Sequence, residues 1–123
     1  MIRIDASSPV PLYDQIKSGF RGLVAKGLLK PGDAAPSIRE LSAKLKVNPN
    51  TVARAFRELS VEGFFDSRRG EGSFISEAAP RRVKSGLGES SSALADSLKL
   101  ARRSGLGWDD IEEVVREIRK EEP

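Results

Sequence analysis

The stretch VNPNTVARAF, residues 47–56, decides the fold and places a proline between two asparagines just ahead of a helical pattern. Asn48 is a favoured N-cap residue, and Pro49 then takes the first helical position, where its missing amide proton costs no hydrogen bond. Apolar residues follow at helical spacing, so the pattern predicts a helix over residues 49–62 that ends at Gly63. The stripe that should face the core comprises Val52, Ala55, Phe56 and Leu59.

A second helix is predicted just before this one. Ser37 and Glu40 match a capping box, in which each side chain binds a free amide at the helix start. A short helix over residues 38–45 should follow, with Ile38, Leu41 and Leu45 as its buried stripe. Only about three residues separate it from the next helix, a spacing that indicates a helix-turn-helix.

Further elements are predicted on both sides of this pair. Apolar residues at helical spacing predict an amphipathic helix over residues 11–26. Two aromatic-rich runs, residues 64–67 and 73–76, flank a basic turn that contains Gly70 and Gly72. Such an arrangement predicts a β-hairpin. The fold expected for residues 1–79 is therefore a mainly α winged helix-turn-helix domain, with the hairpin as its wing.

The C-terminal third of the chain has a different composition. Residues 80–92 combine proline, glycine, serine and basic residues, a composition typical of a linker. The pattern of residues 93–123 predicts a short tail of two helices. The apolar stripe of the first helix is Leu94, Leu98 and Ala101, and that of the second is Ile111, Val114, Val115 and Ile118. Such short helices must bury their apolar side against something. A second copy of the chain is favoured over docking onto the chain's own domain, so the tail is expected to form a homodimer.

Composition narrows the classes of function. The 123 residues are 38% apolar and include no histidine and no cysteine. The absence of cysteine excludes disulfides and thiolate metal sites. The absence of histidine makes an enzyme less expected than a binding protein. Nothing predicts a cofactor, a membrane span or a secretion signal, which favours the cytoplasm. Residues 1–79 carry 12 Lys or Arg against nine Asp or Glu, whereas the remainder is neutral. A basic N-terminal domain is expected if that part binds a polyanion.

The second helix of a helix-turn-helix enters the major groove of DNA, where asparagine and arginine bind base edges and phosphates. Its exposed start should carry no acidic residue before Glu58. Arg39, in the preceding helix, and the arginines and glycines of the wing should reach the backbone or a minor groove. Arg57 has an alternative role in an ion pair with Glu58 or Glu62. The candidate DNA-binding residues are Arg39, Asn48, Pro49, Asn50, Thr51, Arg54, Arg57, Arg68, Arg69, Gly70 and Gly72.

In the order and spacing of its motifs, the chain resembles the GntR family of bacterial transcription regulators. The likeness rests on PSIRELS at residues 36–42, VNPNTV at residues 47–52 and RGEGSF at residues 69–74. The asparagine-proline-asparagine-threonine run and the short helical tail are similar to its YtrA-like subfamily. This resemblance implies a dimeric regulator, usually a repressor, that binds a pseudo-palindromic double-stranded DNA operator. It also implies DNA contacts at Arg39, Asn48, Asn50, Thr51, Arg54 and Gly70.

Two other classes of function have less support from the sequence. Winged helices also serve as protein- or RNA-interaction modules, although the basic wing and the acid-free helix start argue for DNA. An enzyme lacks histidine, cysteine and a convincing carboxylate pair. An unidentified small-molecule effector is a further candidate partner. A tail of this length has little room for a ligand pocket within one chain, which leaves the space between subunits or between tail and DNA-binding domain for any ligand site.

Overall fold

The computed structural model describes residues 2–121, which form five helices and two strands. Residue 1 and residues 122–123, the last two of the expected tail, lie outside the described part of the chain. The chain divides into two compact units between Ser85 and Gly86. The elements in chain order are α1 (Leu12–Ala25), α2 (Ile38–Leu45), α3 (Pro49–Val61), β1 (Phe65–Arg68), β2 (Gly72–Ile75), α4 (Ala79–Arg103) and α5 (Trp108–Glu121).

The first unit is built around one apolar core. Side chains from α1, α2, α3 and the hairpin meet there, and three phenylalanines from different elements pack edge to face with ring centroids 5.1–5.6 Å apart. Edge-to-face packing is the favoured geometry of aromatic pairs. These rings are Phe20, Phe56 and Phe65. All four residues predicted as the core stripe of α3 are buried, which confirms that face of the helix.

The short helix α2 has the predicted bounds but differs in its details. The Ser37 hydroxyl accepts a hydrogen bond from the amide of Glu40 at 3.0 Å, which is one half of the predicted capping box. Within residues 2–121 the reciprocal bond from the Glu40 side chain is not formed. Leu41 is buried as expected, whereas Ile38 is exposed, so its predicted core role is wrong. The core side of α2 is completed by Ser42, whose hydroxyl binds the carbonyl of Arg39.

The predicted wing is present as an antiparallel pair. Phe65 lies opposite Ile75, and Arg68 lies opposite Gly72, so three residues form the turn. The connection between α1 and α2 runs along the free edge of β2, where the amide of Ala35 donates to the carbonyl of Ser73 at 2.9 Å. These bonds fix the wing to the domain, because they supply partners for an otherwise open strand edge.

Residues 80–92 are helical, so the predicted linker is wrong as a description of their local structure. Helix α4 begins at Ala79 and runs without interruption to Arg103. Ala79 and Val83 lie in the core of the first unit, and this packing anchors the first turns of the helix. Since extending a helix is far less costly than starting one, poor helix formers can follow an anchored start. The first tail helix therefore starts well before residue 93.

The second unit contains the end of α4 and helix α5. Asp110 caps α5 by accepting a hydrogen bond from the amide of Gly107 at 2.8 Å. The guanidinium of Arg102 lies over the ring of Trp108, 4.7 Å from its centroid. Ile111 is buried, but most apolar side chains of the predicted tail stripes are exposed in the single chain. The exposed ones include Leu94, Val114, Val115 and Ile118.

Among residues 2–121, no helix combines the length and apolar character required to span a lipid bilayer.

Candidate nucleic-acid interface

Helix α3 begins with a rigid, capped turn. The backbone of Asn48 is extended, and its side-chain oxygen accepts a hydrogen bond from the amide of Asn50 at 2.8 Å. Pro49 follows at the first helical position, where its ring fixes φ in the helical range. The carbonyl of Asn48 accepts the amide of Thr51 at 2.9 Å. Both helix-starting roles predicted for Asn48 and Pro49 are therefore confirmed.

The surface of this first turn is polar and accessible. Asn48, Pro49 and Asn50 are exposed, and Thr51 is half-buried. No acidic side chain lies in the first turn of the helix. The aligned peptide dipoles of a helix add positive potential at its start, which attracts anions. The start of α3 can thus accept a phosphate or a base edge without repulsion from a neighbouring carboxylate.

Arg54 lies one turn further along α3 and already has two partners. Its Nε donates to Oε2 of Glu58 at 3.0 Å, and its guanidinium stacks on the ring of Tyr13, 3.7 Å from the ring centroid. The hydrogen bond to Glu58 raises the pKa of Arg54 above its ordinary value. The side chain nevertheless keeps 52% of its surface exposed. Arg54 is therefore an accessible cation in a defined orientation.

Arg57 and Arg39 are exposed without such partners. Within residues 2–121, neither side chain forms a hydrogen bond or an ion pair. The alternative role of Arg57, an ion pair with Glu58 or Glu62, is not formed because both carboxylates bind other cations. Arg39 lies in the first turn of α2. Both arginines remain available to an anionic ligand.

The tip of the wing carries the other predicted residues. Arg68 stacks on the ring of Phe74, 4.1 Å from its centroid, while Arg69 is exposed. Gly70 and Gly72 have φ angles of +79° and +108°, which L side chains rarely adopt. A Cβ at either glycine would meet nothing within 4 Å, so the backbone conformation, not crowding, requires glycine. At the tip, two backbone positions without side chains thus flank the exposed Glu71.

A cluster of ion pairs between α1 and α3 was not predicted. The ammonium of Lys17, which is only 7% exposed, binds Glu58 at 2.8 Å and Glu62 at 2.6 Å. Arg21 binds the other oxygen of Glu62 at 2.6 Å. The available signal was a matched spacing. Lys17 and Arg21 are four residues apart on α1, and Glu58 on α3 is four residues from Glu62, which caps the end of that helix.

Charge states in this cluster are stabilised by its own hydrogen bonds. The bond from Lys17, followed by that from Arg54, lowers the pKa of Glu58 below its ordinary value. Burial acts to lower the pKa of Lys17, but its bonds to Glu58 and Glu62 outweigh burial and leave that pKa raised. Burial acts to raise the pKa of Glu62, and its bonds to Lys17 and Arg21 reverse the sign. All these groups are therefore charged at neutral pH.

The chain is similar to known proteins across these elements. Residues 12–75 match the family described as bacterial regulatory proteins, gntR family. The HTH-type transcriptional repressor YtrA of Bacillus subtilis is 38% identical over 122 residues, which span 96% of this chain and 92% of the relative. The family match and the alignment with this relative thus both include the helix-turn-helix of this chain.

Two solved structures are similar to the fold. YtrA of Sulfolobus acidocaldarius, a GntR-family transcription factor, is 38% identical with a TM-score of 0.60, over 75% of this chain and 97% of that one. A transcriptional regulator from Oenococcus oeni is 27% identical with a TM-score of 0.70, over 96% of this chain and 98% of that one. Together with the family match, they show that the chain belongs to the GntR family of bacterial regulatory proteins, which are DNA-binding transcriptional regulators rather than enzymes.

Proposed function

We propose that this regulator binds a pseudo-palindromic DNA operator as a homodimer and represses transcription. The observation that carries the proposal is the start of α3, where the Asn48 cap and Pro49 fix an exposed turn free of acidic side chains. A turn of this kind suits insertion into the major groove, because its donors and acceptors are held in one orientation. The name of the Bacillus subtilis relative, a repressor, supports the sign of regulation.

Each predicted residue has a role in this proposal that fits its chemistry. Asn48, Asn50 and Thr51 approach base edges, where an asparagine amide pairs well with adenine, and Pro49 presents them. Cations outside the first turn bind the phosphate backbone, which fixes the position of the domain on the duplex. The residues assigned to the backbone or minor groove are Arg39, Arg54, Arg57, Arg68, Arg69, Gly70 and Gly72.

The proposed homodimer forms through the tail. Val114, Val115 and Ile118 lie at helical spacing on α5 and are 44–51% exposed in the single chain. Burying such side chains against a second copy removes apolar surface from water, at about 25 cal/mol per Å². Two recognition helices then meet half-sites about 10 base pairs apart or a multiple of that spacing. For a small-molecule effector, we propose a site between subunits.

A gel-shift selection from genomic fragments tests this function. Recovered duplexes should share an inverted repeat. At the salt concentrations of the bacterial cytoplasm, two copies of the chain should bind each duplex. Affinity should fall steeply as salt increases, because each phosphate contact releases counterions. The DNA-binding proposal fails if no genomic fragment binds more tightly than a random-sequence duplex. If a structured RNA or another protein binds instead, the chain is an interaction module.

A further inference from the structure

The side chain of Arg54 is ordered before any ligand arrives. Its Nε donates to Glu58 at 3.0 Å, and Tyr13 covers one face of the guanidinium at 3.7 Å. An arginine has five N–H donors, of which only the one on Nε is used among residues 2–121. The four donors on the two terminal nitrogens remain open, and the side chain keeps 52% of its surface exposed.

The partners of Arg54 are themselves fixed in place. Glu58 binds Arg54 through Oε2 and the buried ammonium of Lys17 through Oε1, at 2.8 Å. Lys17 is also held by Glu62 at 2.6 Å. Tyr13 belongs to α1 and packs against the apolar core. The orientation of Arg54 thus depends on two helices and on a chain of ion pairs that includes a buried lysine.

The position of Arg54 on α3 indicates which anion it meets. Asn50 and Arg54 are four residues apart and share one face of the helix, separated by about 6 Å along the axis. If the helix start at Asn50 reaches the base edges, Arg54 lies further out, at the level of the phosphate rim of the groove. A guanidinium whose Nε is occupied still offers two terminal nitrogens that match two phosphate oxygens.

We propose that Tyr13 and Glu58 are positioning residues, which hold the guanidinium of Arg54 so that its terminal nitrogens bind a phosphate of the DNA backbone. This inference rests on the proposed function. The open donors lie on the exposed end of the side chain, where a phosphate can reach them. Holding the side chain in advance lowers the conformational entropy lost on binding, so the contact is stronger than that of a free surface arginine.

A double-mutant cycle in operator affinity tests the coupling. Arg54→Ala should weaken binding about tenfold, and Tyr13→Leu, which removes the ring, about threefold to tenfold. Because Tyr13 acts through Arg54, the double variant Tyr13→Leu with Arg54→Ala should bind no more weakly than Arg54→Ala alone. Tyr13→Phe keeps the ring and should stay within about twofold of the wild type. An equal loss from Tyr13→Leu in both backgrounds overturns the proposal.

Arg57 provides the matched control on the same helix. It is exposed and has no side-chain partner within residues 2–121, so Tyr13→Leu and Arg57→Ala should weaken binding additively. Coupling of Tyr13 to Arg57 as strong as that to Arg54 would mean that the ring shifts the whole helix, and would overturn the positioning role. If Tyr13→Leu does not fold, Arg54→Lys replaces it, because lysine keeps the charge but loses both the Nε bond and the stacking plane.

Salt dependence identifies the group that Arg54 binds. Arg54→Ala should reduce the slope of log affinity against log salt by about 0.9, the value for one phosphate, and leave base preferences unchanged. A lost preference at a single base pair would place Arg54 on a base edge and overturn the phosphate assignment. If the wild type binds its operator and Arg54→Ala binds equally well, this inference fails and the proposed function stands. If the wild type shows no specific DNA binding, the proposed function itself fails.

Discussion

Lys46 ends helix α2 in a left-handed backbone conformation, with φ and ψ of 57° and 46°. It is the sole residue other than glycine with a positive φ in the described part of the chain. This conformation closes the turn of the helix-turn-helix, since the amide of Val47 then reaches the carbonyl of Ser42 at 3.1 Å. The orientation of α3 on α2 therefore depends on a residue whose side chain disfavours the required backbone.

Lys46→Gly should stabilise the protein by roughly 0.5–1 kcal/mol. Glycine removes the steric cost of the left-handed region, and its greater freedom in the unfolded chain offsets part of that gain. Chemical denaturation measures the difference. Lys46→Ala is the control and should give no comparable gain, because alanine retains the Cβ that causes the strain. A glycine variant less stable than the alanine variant would contradict this account.

The ion pairs of Lys17 predict how stability depends on pH. The folded pKa values of Glu58 and Glu62 lie below their ordinary value of 4.5, so their contribution is complete above that value and is lost as pH falls through the folded pKa. The wild type should therefore lose stability progressively below about pH 5. The raised pKa of Lys17 matters only in alkaline solution, where its charge is lost.

Lys17→Met removes the shared cation while filling the buried space of its side chain. The variant should be less stable than the wild type at pH 7, because two carboxylates lose a partner, and its stability should change less between pH 7 and pH 4. Denaturation at both pH values measures this difference, with the exposed Lys26→Met as the control. Equal pH dependence in Lys17→Met and the wild type would show that the pairs contribute nothing to folding.

At the scale of elements, local sequence was sufficient to predict α1, α2, α3 and the hairpin. Apolar spacing indicated α1, capping residues indicated the starts of α2 and α3, and two aromatic-rich runs around a turn with glycines indicated the hairpin. Asn48, Pro49 and Ser37 act on amides within three residues of themselves, so their roles can be inferred from neighbouring sequence. Core packing decided the rest. Ile38 has an apolar side chain at the correct spacing, yet the short helix α2 turns it towards solvent.

Composition and periodicity disagree over the length of α4. Glycines and serines in residues 84–92 indicate a flexible linker, yet Val83, Leu87 and Leu94 continue a helical spacing through this stretch. What sequence alone did not reveal is that Ala79 and Val83 are buried in the first unit. That burial starts the helix, and propagation through weak helix formers then costs only about 0.5–1 kcal/mol per residue.

Gly86 and Gly88 should limit the local stability of α4. A Cβ at either position meets nothing within 4 Å, and neither glycine has a positive φ, so no packing requires glycine there. Replacing both by alanine should stabilise this part of the helix by about 1 kcal/mol per site. Hydrogen exchange of the α4 amides measures the effect, which should appear as slower exchange.

Gly105→Ala is the opposite control, because its φ of +110° excludes a side chain without strain, and this variant should be destabilised. Unchanged exchange in the Gly86→Ala, Gly88→Ala variant would mean that these residues do not limit the helix.

At the scale of the whole molecule, the two units differ in chemistry. The N-terminal unit contains the core, the exposed cations of α3 and the wing, and the basic excess of the chain lies within residues 1–79. The second unit exposes apolar side chains on α5. Sequence patterns predicted this contrast, but not the ion pairs between α1 and α3, since these depend on how two distant helices face each other.

Val114→Asp with Ile118→Asp should convert the proposed dimer to a monomer. Burying two carboxylates in an apolar interface is strongly unfavourable, whereas both are readily solvated in the single chain. Sedimentation velocity measures the change, and operator affinity should fall with it because two half-sites are no longer linked. Lys120→Asp alters charge on the other side of α5 and should leave the dimer intact. A doubly substituted chain that still sediments as a dimer would move the interface elsewhere.

The most direct test of the account is whether the start of α3 reads bases. Operator variants with single base-pair changes are titrated with the wild type and with Asn50→Ala, at one salt concentration. We predict that the wild type discriminates by roughly 5- to 150-fold at the position that Asn50 contacts, and that Asn50→Ala loses this preference while keeping the others. An Asn50→Ala variant that retains every base preference of the wild type would contradict the assignment of α3 as the recognition helix.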